Sequence, residues 1–338
     1  MSRFAWLERR PEGLFVRPGG FFLDPVRSVP LAVVSHGHSD HARPGHGEVI
    51  ATPETCAIME ARYGREAFGR LRPLPTGEVV VLGEVRLRLE PAGHVWGSAQ
   101  IILEYARTRV IWSGDYKRRP DPTCAPFEPV PCDLFITEAT FGLPVFRHPP
   151  VEQEIDKLLR ARVAHPERAI VVGAYGLGKT QRLIASLRRA GYDRPIFLHG
   201  ALVALCALYE RHGVSLGPLV PATVGERGRP RRELAGEIVI APPSALADRW
   251  VRRLPDPLPV LASGWMRVKQ RAKQRGVELP LVISDHADWD ELLATCGEVA
   301  AEEVWITHGR EEALVHALGL CGIRARPLAL AGYEEETG

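Results

Sequence analysis

Residues 35–41 read Ser-His-Gly-His-Ser-Asp-His, which places three imidazoles and a carboxylate within six positions, His36 to His41. Imidazole is the commonest side chain on zinc-like ions, and a carboxylate oxygen suits zinc or manganese. The apolar run Leu31-Ala32-Val33-Val34 leads directly into this cluster and has the makings of a buried strand. If strand geometry persists, His36 and His38 project to one side, and the following turn swings Asp40 and His41 towards a second position. One loop of this kind can feed two adjacent metal ions. A purely polar surface loop has no need of four ligand-type side chains so close together.

The elements that must position such a cluster show the same habit. Val110-Ile111-Trp112 runs into Ser113-Gly114-Asp115, Leu134-Phe135-Ile136-Thr137 ends in Glu138, and Val304-Trp305-Ile306-Thr307 ends in His308. Leu281-Val282-Ile283-Ser284 delivers Asp285-His286, and Ala92-Gly93 precedes His94. Counting Leu31–Val34, five apolar strands carry a His, Asp or Glu at their carboxyl end. In layered α/β proteins, sites gather at strand ends, where loops bring distant residues together. Asp24, behind Phe21-Phe22-Leu23, has the same placement, and a plain turn residue explains it equally well. Around these runs, Thr52-Pro53 opens a helix through Tyr63, and Glu78–Glu90 reads as a β-hairpin turning at Gly83.

A chain of 338 residues with 45% hydrophobic content can bury a large core, in two domains or one big one. The formal charge of +2 is too small to imply nucleic acid by itself. Six scattered cysteines with no C-x-x-C pair read as thiols of a reducing compartment. Met1–Glu12 lacks the apolar core of a signal peptide, and no run of eighteen apolar residues occurs, so the expectation is a soluble cytoplasmic protein without membrane contact.

From Pro149 to Ala262 strand and helix alternate, as in a small parallel sheet: helix 151–163, strand 169–172, helix 180–190, strand and helix within 195–211, and strand 237–241. Linkers are expected at 144–150 and 255–259. Within this stretch Gly173-Ala174-Tyr175-Gly176-Leu177-Gly178-Lys179-Thr180 satisfies the phosphate-loop pattern G-x-x-x-x-G-K-[ST]. No second strand ending in a magnesium-binding carboxylate accompanies it, so ATP is not expected. Gly176, Gly178, Lys179 and Thr180 are instead candidates for meeting a phosphate of a bound strand, through amides at a helix N-terminus. Arg227, Arg229, Arg231 and Arg232, and the run Arg267, Lys269, Arg271, Lys273 and Arg275 behind Trp265, are candidate backbone tracks or solvated faces.

Taken together and in order, His36-x-His38-x-Asp40-His41, Gly93-His94 and Gly114-Asp115 resemble the ligand motifs of metallo-β-lactamase-fold hydrolases. Glu138, Asp285-His286-Ala287-Asp288 and Thr307-His308-Gly309 resemble the three further motifs of the β-CASP nucleases within that fold, nearest the bacterial DNA ligase-associated, Artemis-like branch. The resemblance spans nearly the whole chain. It implies an αββα sandwich from 1–147 and 262–338, interrupted by a β-CASP cap, a small parallel α/β sheet, at 148–261.

The resemblance also implies two divalent ions, zinc first and manganese second. One would be held by His36, His38 and His94, the other by Asp40, His41 and His308, with Asp115 bridging and Asp24 supporting the loop from behind. Two such ions about 3.5–4 Å apart turn bridging water into hydroxide near neutral pH and neutralise charge on phosphorus. His286 becomes the general acid for the leaving alkoxide, oriented by Glu138. With Asp40 and Asp115 these make up the expected catalytic set. DNA-acting relatives of the Artemis type commonly lack a histidine at the position of His308, whereas RNA-acting ones have it. The compact cap and the lack of an appended RNA-binding domain argue the other way. The expectation is therefore a single-strand-preferring DNA exonuclease of DNA repair, working with a DNA ligase and helicase. The alternatives are an RNA nuclease with the same site and an inactive scaffold subunit.

Overall fold

The computed structural model describes residues 3–222, 232–328 and 330. In chain order its elements are β1 (Leu7–Arg10), β2 (Gly13–Val16), β3 (Phe21–Leu23), β4 (Leu31–Val33), β5 (Glu48–Ala51), α1 (Pro53–Tyr63) and β6 (Arg70–Pro73). There follow β7 (Val79–Leu82), β8 (Val85–Pro91), β9 (Ala99–Tyr105), β10 (Thr108–Trp112) and β11 (Leu134–Ala139). The middle holds α2 (Val151–Ala164), β12 (Ile170–Gly173), α3 (Lys179–Arg189), β13 (Ile196–Leu198), α4 (Gly200–Arg211) and β14 (Leu219–Pro221). It continues through β15 (Ile238–Ala241), β16 (Leu258–Ala262), α5 (Lys269–Gln274) and β17 (Leu279–Leu281). The chain closes with α6 (Trp289–Glu298), β18 (Glu303–Gly309), α7 (Glu311–Leu320) and β19 (Ala325–Pro327).

Two compact units result: Met1–Val145 with the segment from His286 onward, and Phe146–Asp285. The first contains a six-stranded sheet in the order β1-β2-β3-β4-β5-β6 and a seven-stranded sheet β19-β18-β11-β10-β9-β8-β7. Strict alternation decides which face each residue joins. Ile101, Leu103, Val110, Trp112, Leu134 and Ile136 meet Leu14, Phe21, Leu23, Val33 and Ile50 in a core between the two sheets. Their neighbours Ile102, Ile111 and Phe135 face the other way and pack on Leu292 and Cys296 of α6 and Leu314 and Leu318 of α7. On the far side, Ala32, Val49 and Ala51 cover Cys56 and Met59 of α1. The layers are α, β, β, α, and each large apolar side chain buried between them contributes roughly 1.5–3 kcal/mol.

The second unit is a six-stranded sheet, β14-β13-β15-β12-β16-β17, parallel throughout. Its central strands β12 and β15 are apolar and buried along their whole length. Central strands of parallel sheets are covered on both faces and read this way. The chain thus forms an α/β sandwich with an inserted parallel sheet.

One of the two crossings between units falls inside its expected linker, 144–150, and the other lies well beyond the linker expected at 255–259. The first lies at Val145/Phe146 and the second at Asp285/His286 rather than 147/148 and 261/262. The physical reason for the second is β-pairing. β16 joins β12, and β17 joins β16, so residues 258–281 complete the inserted sheet before the chain leaves it. For the same reason the strand expected over Leu281–Ser284 ends at Leu281. Of the two basic stretches, Arg227, Arg229 and Arg231 lie outside the described residues, as does the side chain of Arg232. The other forms a short 3-10 turn and α5, with the Arg271 guanidinium 4.2 Å above the Trp265 ring.

Candidate metal centre

The centre is built outward from Asp24, which leaves β3 with φ of 40° and is wholly buried. Its Oδ1 accepts the Ser35 amide at 2.7 Å, and Oδ2 accepts the Ser35 hydroxyl at 2.7 Å, His41 Nδ1 at 2.9 Å and Trp112 Nε1 at 2.8 Å. Because the Ser35 hydroxyl donates to Asp24, it accepts from His36 Nδ1 at 3.0 Å. The outcome is that His36 and His41 both turn Nε2 into the site. Fixing one ring nitrogen by hydrogen bonding to orient the other is how proteins prepare histidine ligands. The loop is held from below as well: Arg62 of α1 donates to the Gly37 carbonyl at 2.7 Å, and a Cβ at Gly37 would lie 2.7 Å from the Ile58 side chain.

Four strand ends then converge. His38 Nδ1 lies 3.1 Å from His36 Nε2 and 3.0 Å from His94 Nε2. Asp115 Oδ2 lies 3.5 Å from His36 Nε2, 3.5 Å from His41 Nε2 and 3.8 Å from His94 Nε2. The ligand atoms of His36, His38, His94 and Asp115 all fall within 4.8 Å of one another. On the other side of Asp115, Asp40 Oδ2 approaches His41 Nε2 to 3.7 Å, and the His308 ring centres 5.3 Å from that of His41. All seven residues expected to hold metal are therefore together, in two groups that meet at Asp115.

The electrostatics of this pocket fit a cation. Burial, then the charges of His41 and His94, hold His36 well below the ordinary imidazole range, so it is neutral, which is the ligating form. Burial, then His41, likewise pushes His308 down to about 3. Burial opposes charge on His41 too, but Asp115, Asp40 and the Asp24 hydrogen bond overcome it and raise His41 to about 10. Burial also lifts Asp115 to about 7, against the pull of His41. Asp40 sits at about 2, since the positive charge of His41 and His38 outweighs its burial. Inward-facing imidazole nitrogens around carboxylates that attract positive charge this strongly make a donor set suited to divalent ions.

Glu138 and His286 form the third part of the site. Glu138 lies where the pairing of β11 with β18 shifts register, between Thr137 and Ala139. Its Oε2 meets His286 Nδ1 at 2.9 Å, and Oε1 accepts the Tyr116 amide at 2.8 Å. Burial alone would raise the Glu138 carboxyl, but His286 charge and hydrogen bonding hold it below its usual value. His286 Nδ1 is also 4.0 Å from Asp115 Oδ2, and its ring centres 4.6 Å from that of His94.

The glycine loop of the second unit uses its donors internally. The Gly178 amide donates to Gln181 Oε1 at 2.8 Å, and the Lys179 and Thr180 amides donate to the Leu177 and Tyr175 carbonyls at 3.1 and 3.0 Å. The Thr180 hydroxyl donates to the Tyr175 carbonyl at 2.7 Å, and Gln181 Nε2 reaches the Gly176 carbonyl at 2.9 Å. Lys179 is buried, with Nζ 3.5 Å from Asp285 Oδ2 and 4.8 Å from the centre of the Tyr175 ring. The pattern that resembles a phosphate loop thus carries a helix cap and a buried ion pair.

Sequence reasoning missed Ser35, Trp112, Arg62 and Lys117. Ser35 and Trp112 border the ligand loops, and nothing in their spacing marks them. Arg62 and Lys117 sit among many basic residues, and only the fold shows that they point inward.

The model of the metallo-beta-lactamase superfamily matches residues 23–173. The chain is 29% identical over 324 residues to a probable DNA ligase of Opitutus terrae, a match covering 95% of this chain and 31% of that protein. It is 26% identical over 399 residues to a ribonuclease of Thermus thermophilus, covering 94% and 89%. An endoribonuclease of Neurospora crassa matches at 26% over 261 residues, covering 64% and 30%. The chain spans about a third of the length of the ligase and of the endoribonuclease. A solved protein of unknown function from Enterococcus faecalis V583 shares the fold, with a TM-score of 0.60 at 14% identity over 90% of this chain and 80% of that one.

Proposed function

We infer that this chain is a divalent-metal-dependent DNA exonuclease of the β-CASP type preferring single strands, a reading supported by the match of the metallo-beta-lactamase superfamily model to residues 23–173 and by relatives named as ribonucleases. The observation that carries this reading is the meeting of two ligand groups at Asp115 Oδ2, within 3.5–3.8 Å of three imidazoles, His36 and His41 from the loop after β4 and His94 from the loop after β8. In this reading His36, His38 and His94 would hold one ion and Asp40, His41 and His308 the other, with Asp115 available to both, and the ions would be zinc or manganese. When bound, the ions would lower the pKa of water and neutralise charge on the scissile phosphate.

The rest is done by the protein's own groups. Asp24 and Ser35 keep the ring nitrogens of His36 and His41 aimed inward. Glu138 holds His286 by Nδ1, and His286 supplies a proton to the departing alkoxide, a step worth roughly 10²–10⁴ in rate. The phosphate-loop reading of Gly176, Gly178, Lys179 and Thr180 has less support, given how its amides are engaged.

The relative named as a probable DNA ligase, matched along nearly the whole of this chain and about a third of its own, supports DNA as the substrate, and we propose a cytoplasmic setting beside a ligase and a helicase. A second reading, an RNA nuclease, is favoured by the likeness to a ribonuclease along nearly its full length and by the presence of His308. Digestion of matched DNA and RNA strands, labelled at either end, with zinc and manganese compared, decides between them. The expected result is progressive shortening of single-stranded DNA, abolished by a chelator and by Asp115→Ala. Cleavage of RNA alone selects the second reading, and cleavage that persists in the Asp115 variant or under chelation refutes both.

A further inference from the structure

We propose that Lys117 is a positioning residue for the acid step, holding the main chain of His286 so that its ring stays on Glu138. The inference rests on the phosphodiesterase reading and on His286 as the acid, and it adds a residue that no part of the metal-ligand pattern calls for. Lys117 is 2% exposed, two residues beyond Asp115. Its ammonium donates to the His286 carbonyl at 2.8 Å and to Glu291 Oε2 at 3.2 Å. A lysine stem is long and flexible, and its charge is costly to remove from water unless fixed partners meet it. Here those partners are a carbonyl next to the acid and a carboxylate at the start of α6.

The surrounding bonds explain what the ammonium controls. The Tyr116 amide donates to Glu138 at 2.8 Å, and the Tyr116 carbonyl accepts the Ala287 amide at 2.6 Å. The Lys117 amide donates to the Ala92 carbonyl at 3.0 Å, beside the loop that bears His94. The short stretch behind Asp115 is therefore laced to Glu138, to the carbonyl and the amide of the 286–287 peptide, and to the His94 loop. Glu291 also accepts the Asp288 amide at 3.0 Å, which ties the ammonium to the cap of α6. Together the Lys117 and Ala287 bonds fix the orientation of the 286–287 peptide, and with it the main chain from which the imidazole meets Glu138.

A buried ion pair that merely supports the fold would affect every substrate alike, and a residue acting through the acid does not. The test uses the full-length, metal-loaded protein, with Lys117→Met and Lys117→Arg compared with wild type and His286→Ala. Each is assayed on a DNA strand and on a nucleoside p-nitrophenyl phosphodiester, whose phenolate leaves without a proton. Metal content and thermal midpoint are measured alongside. The expected result for Lys117→Met is a fall in kcat on DNA of about 10–100-fold, short of the roughly 10²–10⁴ that the acid itself contributes. KM and metal content stay near wild type, and the loss on the activated ester is far smaller. His286→Ala shows the same selective pattern more strongly. If Lys117→Met fails to fold, Lys117→Arg, which keeps the charge but misplaces the donors, must show the selective loss. Equal losses on both substrates, or no loss on either, overturn the proposal. Wild type inert on both substrates refutes the phosphodiesterase reading itself, and this inference falls with it.

Discussion

Asp24 illustrates how much one buried carboxylate decides. Four donors surround it, and two of them set the direction in which His36 and His41 offer their second nitrogen. Asn in its place turns an amide against one of those donors and leaves an imidazole free to rotate. Asp24→Asn is therefore expected to weaken metal affinity or activity about 10–100-fold, the usual effect of losing a partner behind a ligand. Competition against a chromophoric chelator measures this, with circular dichroism as the check on folding, and unchanged affinity would show that Asp24 is only a turn residue. Its spacing left those two roles equally open. The ligand identities, by contrast, were plain, because four such side chains in one loop and their echoes behind later strands have few other uses. Ser35 and Trp112 stayed hidden because their types are common and their role exists only once β3, β4 and β10 lie side by side.

At the level of elements, apolar runs and turn residues foretold most of the structure. Thr52 caps α1 by accepting the Thr55 amide at 3.1 Å, β7 and β8 turn at Gly83, and the helices and strands of the insert fall within about a residue or two of their expected bounds. Where the reading stopped short, pairing decided the result. Nothing in residues 258–281 announces that β16 and β17 will extend the inserted sheet rather than return to the sandwich. In the glycine loop the Gly178, Lys179 and Thr180 amides donate to Gln181 and to the loop's own carbonyls, bonding that the local pattern does not announce. Strain is also an element property. His308 has φ of 60° and Gly309 of 83°, and a Cβ at Gly309 would lie 2.1 Å from the Ala139 carbonyl oxygen. Gly309→Ala must therefore push β18 away from β11 beside Glu138. We expect a loss of at least about 2 kcal/mol in denaturant unfolding and reduced binding of the ion nearest His308. A variant as stable as wild type would mean that this crossing is loose.

For the molecule as a whole, the four-layer sandwich matters because it places the ends of β3, β4, β10, β11 and β18 within reach of one another, although they span the chain from Asp24 to His308. Among the described residues no helix is long and apolar enough to cross a membrane. The central claim is that this convergence holds two divalent ions sharing Asp115. Anomalous diffraction from crystals soaked in zinc, recorded on both sides of the zinc absorption edge, tests it most directly. The account predicts two anomalous peaks flanking Asp115, one among His36, His38 and His94 and the other among Asp40, His41 and His308. A fully soaked crystal with no peak beside Asp115, or with zinc bound only elsewhere, would contradict it.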